Sequence, residues 1–205
     1  MQIKTIRSYI SSITLGLMLS LGTGATSAAE QIAVFAGGCF WGVDAVFKHV
    51  KGVTDVVSGY AGGSAATANY RMVSNGNTGH AEAVQVRFDP ARVSYQTLLK
   101  VFFSVAHDPT QLNRQGPDYG TQYRSAIFYT GKEQQKQAQS YIGQLTATRT
   151  FGDPIVTQVV PLAKFYPAED YHQNYLALHP NQPYIVFHDM PKLELLRKQF
   201  PELYQ

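Results

Sequence analysis

Hydrophobic and polar positions alternate most regularly in His80-Ala-Glu-Ala-Val-Gln-Val-Arg-Phe88. A period of two predicts a strand there, with Glu82, Val84, Val86 and Phe88 on one face and Ala83, Gln85 and Arg87 on the other. Earlier in the chain, Ile32-Ala-Val-Phe35 is a short β run ended by Gly37-Gly38. The period then changes. Val43, Val46, Phe47 and Val50 recur at helical spacing, Asp44 and Lys48 stand four apart, and Gly52 supplies a stop. Val53 to Tyr60 reads as a strand, and the Gly/Ala/Ser-rich stretch 61–69 as a loop. Ser94 is placed to cap a helix reaching about Val105, which Asp108-Pro109 ends. A glycine-containing polar loop over 108–122 leads to a strand near Tyr123–Tyr129. Residues 132–148 pattern as a helix with Ala138, Tyr141, Ile142 and Leu145 inward, and Ile155–Leu162 as a further strand. A last helix begins near Pro191, with Leu193, Leu196 and Phe200 on one side. Strands and helices mixed in this order predict an α/β (α+β) fold, a two-layer, ferredoxin-like sandwich of a mixed sheet packed with helices.

The first 29 residues break this pattern and read as an address. Lys4 and Arg7 precede an apolar run from Ile10 to Leu21, followed by small residues through Ala29. A run of about 12 residues is short for crossing a bilayer of about 30 Å as a helix but suits a cleaved signal peptide. The expectation is a signal peptide over 1–29 and a single domain over 30–205, exported to the periplasm or secreted, with no membrane span after cleavage. An uncleaved N-terminal anchor is the alternative. Lys4 and Arg7 are the only charges before Glu30, so residues 30–205 carry 15 Lys+Arg against 14 Asp+Glu. That balance leaves no basic footprint for nucleic acid. The hydrophobic fraction of 44% with 15% charged residues excludes a disordered tail protein.

Cysteine usage sharpens the picture. Cys39 is the only one, so disulfides do not staple this fold, and a lone thiol in an oxidising compartment is a hazard that calls for a reason. It lies in Gly37-Gly-Cys-Phe-Trp-Gly42, between a strand and a helix start. Helix N–H groups there favour a thiolate, the reactive form, and predict a lowered thiol pKa. Helical phase also allows a buried structural cysteine. Trp41 lies off the apolar stripe, where a large aromatic is exposed unless it lines a site. Glu82 is the second anomaly, a carboxyl on the same strand face as three apolar residues. Partly withdrawn from water, it would hold a proton near neutral pH and could donate it; a strand end protruding into solvent is the alternative. His80 reads as a capped loop histidine before it reads as a partner. Tyr70 and Tyr123 each close a polar, glycine-containing loop. The six histidines show no close metal-ligand pair, one cysteine cannot form a thiolate-rich zinc site, and no phosphate-cradling glycine motif occurs.

Five segments together resemble peptide methionine sulfoxide reductase type A: Gly38-Cys-Phe-Trp-Gly42, Gly59-Tyr-Ala-Gly-Gly63, Thr78-Gly-His-Ala-Glu-Ala-Val84, Asp118-Tyr-Gly-Thr-Gln-Tyr-Arg-Ser125 and Phe165-Tyr-Pro-Ala-Glu-Asp-Tyr-His-Gln-Asn-Tyr175. The match covers about 32–180, in family order, with a compatible tail at His179–Ile185. The resemblance implies an α/β sandwich that reduces the S epimer of methionine sulfoxide, free or in proteins, and so repairs oxidised proteins. It implies Cys39 as nucleophile and Glu82 as proton donor to the sulfoxide oxygen. Tyr70 and Tyr123 would hydrogen-bond that oxygen, Phe40 and Trp41 would hold the substrate methyl, and Asp118 would orient the substrate backbone or a water. Thiol and acid must converge, because sulfoxide sulfur is a poor electrophile until its oxygen is protonated.

Three departures from the family pattern matter. Thr67-Ala-Asn-Tyr70 replaces the usual Asn-Pro-Thr-Tyr, Ser74 stands where cysteine is common, and no downstream cysteine exists to recycle the enzyme. With no bound cofactor expected, an external thiol, either a small thiol or a thioredoxin-like protein, must attack a Cys39 sulfenic acid. From the residues alone, two other classes remain open: a cysteine hydrolase or acyl transferase using Cys39 with His80, and a non-catalytic domain that binds oxidised or exposed methionine segments.

Overall fold

The computed structural model describes Met1 and residues 29–205, so the expected signal peptide lies almost wholly outside the described residues. Strand β1 (Gln31–Gly37) leads into helix α1 (Phe40–Lys48), which returns to β2 (Val53–Ala61). A 3-10 turn and the short helix α2 (Tyr70–Val73) precede β3 (Ala81–Phe88). Helix α3 (Tyr95–Val101) follows, capped by the Ser94 hydroxyl, which accepts from the Thr97 N–H at 3.1 Å. It does not run on as one regular helix to Val105. Residues Phe102–Ala106 widen into a π turn that buries Phe102, Phe103, Val105 and Ala106.

The polar loop after 108 holds a small hairpin, β4 (Arg114–Gln115) and β5 (Asp118–Tyr119). Then come β6 (Ser125–Tyr129), α4 (Lys132–Ala147), β7 (Gln158–Pro161) and β8 (Phe165–Pro167). The chain closes with α5 (Tyr175–Leu178), a π turn over Ile185–Asp189, and α6 (Met190–Gln199).

Six strands form one sheet in the order β7-β6-β1-β3-β2-β8. Its central four strands, β6-β1-β3-β2, are mutually antiparallel, and β7 joins β6 in parallel. That is the β-α-β-β-α-β arrangement expected, with edge strands added. The predicted strand over 155–162 is shorter than expected. Val156 donates its N–H to the Pro109 carbonyl at 2.8 Å, so this stretch is spent on a loop before β7 begins. Strand β8 escapes the alternation rule at three residues.

The alternation in β3 sorts as predicted. Val84, Val86 and Phe88 join Phe35, Val46, Phe47, Leu98 and Leu99 in the core between sheet and helices. Ala81 and Ala83 face the opposite side, in a smaller cluster with Val34, Ala36 and Phe128. Burial of each large apolar side chain contributes about 1.5–3 kcal/mol. Helix α1 stops at Lys48; Val50, read as part of its stripe, instead pairs with Tyr204 as an isolated bridge and stays in the core. Among the described residues no helix is long and apolar enough to cross a membrane.

Candidate active site

Two glycines explain how the segment around Cys39 becomes a meeting point. Gly38 adopts φ +90°, a region that L side chains rarely occupy, and a Cβ there would lie 2.5 Å from Gln115 Cγ. The turn out of β1 therefore needs glycine twice over, and it brings Gln115 of the β4–β5 hairpin against Gly38, the residue before Cys39. A Cβ at Gly42 would lie 2.1 Å from Asp189 Oδ1 and 2.7 Å from Lys192 Nζ. The chain at the start of α6 thus sits directly on the first turn of α1.

Cys39 occupies the N-cap position of α1 and is 9% exposed. Its sulfur makes no capping hydrogen bond. The first N–H of the helix, that of Phe40, goes instead to Glu82 Oε2 at 3.0 Å. One hydrogen bond donated from α1 to β3 therefore sets the Glu82 carboxyl beside the residue that follows Cys39. Glu82 is 2% exposed, and its burial pushes the carboxyl up to about 8, against the pull of the Phe40 N–H. The acid keeps its proton at neutral pH, as the strand pattern predicted.

The thiol departs from expectation. Burial pushes Cys39 well above its ordinary value, and the Glu82 and Asp189 carboxylates push the same way; the Trp41 backbone and Lys192 pull against them. A helix N-terminus was expected to lower this pKa. Enclosure from water and two neighbouring acids outweigh it.

The remaining predicted residues gather at the same place. Tyr70 starts α2, where Asn69 accepts the Met72 N–H at 3.1 Å as cap, and the Tyr70 N–H donates to Glu169 Oε1 at 2.9 Å. The altered Thr67-Ala-Asn-Tyr70 loop therefore still holds Tyr70 firmly. Tyr123 ends a 3-10 turn tied to the loop before β3: Thr121 Oγ1 donates to the Gly76 carbonyl at 2.6 Å, and Arg124 donates to the Gly79 carbonyl at 3.0 Å. The phenols of Tyr70 and Tyr123 are both pushed up, by burial first, then by Glu82 and, further down, by Cys39 and Asp118. Each therefore stays a hydrogen-bond donor. Asp118 accepts the Tyr184 hydroxyl through Oδ2.

Phe40 is almost fully buried, its ring 5.0 Å from His172 and 5.9 Å from Tyr60. Trp41 is half-buried, as expected for a lining residue. It stacks on Tyr175 at 3.7 Å between ring centroids and donates its indole N–H to His172 Nδ1 at 3.2 Å. The structure thus brings together all seven residues singled out from the sequence.

His80 lies elsewhere in role. Its Nδ1 accepts the Gly63 N–H at 3.2 Å and its Nε2 faces the Ser64 carbonyl at 2.9 Å. Both ring nitrogens are used in holding a loop, which leaves no base for a Cys39–His80 hydrolase. Among the described residues no group of three or more His, Cys, Asp or Glu could hold a metal ion.

Sequence reasoning assigned no role to the C-terminal contributors: Glu169, His172, Tyr175, Tyr184, Asp189 and Lys192. The available signal was the Glu169–Tyr175 motif itself, rich in polar and aromatic residues yet without a strand or long-helix period. Glu169 bridges Tyr60 and Tyr70. His172 contacts the rings of Phe40, Trp41 and Tyr70.

Comparison with known proteins agrees with this geometry. The family model described as peptide methionine sulfoxide reductase matches residues 31–204. A peptide methionine sulfoxide reductase MsrA 2 from Synechocystis is 55% identical over 86% of this chain and 83% of its own. Methionine sulfoxide reductase A of Corynebacterium diphtheriae superposes with a TM-score of 0.65 at 36% identity, covering 77% of each chain. Mxr1 from Saccharomyces cerevisiae, in reduced form, gives a TM-score of 0.68 at 33% identity over 74% of this chain and 87% of its own. A further structure of Mxr1, in complex with Trx2, shares the fold at 23% identity and a TM-score of 0.50, over 77% of this chain and 92% of its own. With residues 31–204 matched by that family model and relatives of this kind aligned over most of its length, the chain belongs to the peptide methionine sulfoxide reductase family.

Proposed function

We propose that this reductase acts on the S epimer of methionine sulfoxide through a Cys39 sulfenic acid, and that an external thiol restores it. The observation that carries the reading is the Phe40 N–H bond to Glu82, which seats a protonated carboxyl beside the only thiol of the chain. The sulfoxide oxygen accepts hydrogen bonds from Tyr70 and Tyr123 and the proton from Glu82. Sulfur attack by Cys39 then becomes feasible, because positive charge develops on an activated sulfur. The Cys39 thiol proton passes to the Glu82 carboxylate. The S–O bond then breaks as the hydroxyl passes to the Cys39 sulfur and the transient bond between the two sulfurs reopens, so sulfoxide plus thiol become thioether plus sulfenic acid with no net change in protons. Glu82 leaves the step as it entered it. A raised thiol pKa suits this exchange: the proton leaves sulfur only when Glu82 has given up its own. Trp41 and Phe40 would hold the methyl group, and Asp118 the substrate backbone or a water.

Without a second cysteine, the sulfenic acid cannot close an internal disulfide. An added thiol displaces the hydroxyl as water and forms a mixed disulfide, which a second thiol resolves. The thiol is small or belongs to a thioredoxin-like protein, of the kind that yeast Mxr1 meets in its complex with Trx2. We further propose that residues 1–29 export the chain to the periplasm or outside the cell.

A stereoresolved assay tests the reading. With dithiothreitol, only the S epimer should turn over, Cys39→Ser should turn over nothing, and one equivalent of a monothiol should leave an adduct on Cys39 detectable by mass. Turnover of the R epimer, or by Cys39→Ser, overturns it.

A further inference from the structure

The C-terminal chain places an ion pair with a buried carboxylate on the first turn of α1, three residues from the nucleophile, and the mechanism above does not use it. Asp189 is wholly buried. Its Oδ1 accepts from Lys192 Nζ at 3.2 Å, while Oδ2 is buried without a hydrogen-bond partner. Gly42 has no side chain where these two groups lie, so the backbone of α1 admits them at closest approach. A carboxylate with one oxygen unpartnered is an expensive group to bury. Its neighbour is a thiol whose ionisation the same charges affect in opposite senses.

We propose that Asp189 and Lys192 are positioning residues that set how readily Cys39 ionises, the carboxylate restraining the thiolate and the ammonium supporting it. The proposal rests on Cys39 being the nucleophile. The titratable groups around the sulfur come from several elements: Glu82 from β3, Tyr70 from α2, Tyr123 from its 3-10 turn, and Tyr184, whose hydroxyl donates to Asp118 of β5. His188, Asp189 and Lys192 complete the set from the C-terminal segment, His188 acting through Asp189.

Two consequences suit a chain with a single thiol. Held protonated at rest, Cys39 is protected from adventitious oxidation, which proceeds through the thiolate. When an external thiol resolves the mixed disulfide, Cys39 must depart as a thiolate, and a cation beside it speeds that departure.

The test is the pH dependence of Cys39 alkylation by iodoacetamide in the intact protein, read by mass. Asp189→Asn should move the alkylation midpoint down by about one pH unit, which raises the rate near pH 7.5 about tenfold. Lys192→Met should move it up and slow alkylation, and Lys192→Arg should restore it. The double variant Asp189→Asn/Lys192→Met should return close to the parent midpoint. An unchanged midpoint in both single variants overturns the proposal, as does a double variant that keeps the full Asp189→Asn shift. Faster alkylation at every pH with a fixed midpoint would show only a looser fold and likewise overturns it. Should Asp189→Asn not fold, the Lys192 pair of variants decides alone. Sulfoxide turnover by the parent enzyme is measured separately, so a failed reductase reading is told apart from a failed ion-pair proposal.

Discussion

Two buried polar clusters flank the turn that carries Cys39, and they are built on opposite rules. On the Gly37 side, His107 stacks on Phe102 at 4.0 Å, and its Nδ1 meets the Phe102 carbonyl at 3.0 Å. Its Nε2 meets the Ser125 hydroxyl at 2.7 Å, and that hydroxyl meets Thr157 at 2.7 Å. Each ring nitrogen of His107 has a partner, and burial pushes the imidazole down to about 4, so it is neutral in use. On the Gly42 side the bonding is incomplete. Asp189 Oδ2 and His172 Nε2 are buried without partners, and Glu82 holds a proton that it would shed in water. A satisfied polar cluster rigidifies a core. A cluster left short of partners, with its acid near neutrality, is poised to receive a ligand and exchange a proton with it. Burial alone does not tell these two clusters apart; the accounting of their hydrogen bonds does.

The sharpest way to break this contrast is Glu82→Gln. Its amide oxygen can still accept the Phe40 N–H, yet it has no acidic proton, so turnover of the S epimer should fall about 10²–10⁴-fold. Stability should move the other way. The folded carboxyl titrates at about 8 rather than 4.5, so folding takes up a proton between those values and stability drains away as pH rises through that window. His107 has the opposite sign: its folded pKa of about 4 lies below 6.5, and the stability it supports is lost as pH falls through that range. Denaturant midpoints across pH should therefore show the parent protein weakening above pH 6.5 and Glu82→Gln holding level. The gain at pH 7 should approach about 3 kcal/mol. A variant as pH-sensitive as the parent would remove Glu82 as the source.

A smaller effect tests the satisfied cluster. Ser125→Ala leaves His107 Nε2 buried without a partner and should lower stability by about 1–3 kcal/mol, with kcat/KM unchanged. Loss of activity in proportion to stability would merge the two clusters into one. Smallest of all, His172→Phe keeps a ring against Phe40 and Tyr70 but removes the acceptor for the Trp41 indole. KM for the sulfoxide should rise roughly tenfold, about 1.4 kcal/mol, with kcat little affected. An unchanged KM would show that the stack on Tyr175 alone orients Trp41.

Much of the fold was legible because its signals are local. The two-residue period in 80–88 identifies both faces of β3, and the helical period after Cys39 identifies the inward side of α1. Where the signal is not local, reading stopped short. Three-residue β8 has too little length for a period, and the residues before β7 are held by a loop carbonyl that sequence does not reveal. The thiol is the instructive miss. A helix start beside a cysteine predicts an easily ionised sulfur, but burial reverses this, and the acids that add to it arrive from β3 and from the chain 150 residues further on.

The order of short-range patterns thus specified by itself the longer strands and helices and the pair of anomalies, Cys39 and Glu82, because alternation and capping depend on near neighbours. Only the tertiary structure decided which charges surround the sulfur, why Gly38 and Gly42 can carry no side chain, and which histidines are spoken for. Those outcomes depend on approach between segments distant in sequence, where electrostatics and desolvation act through space and leave no period in the chain.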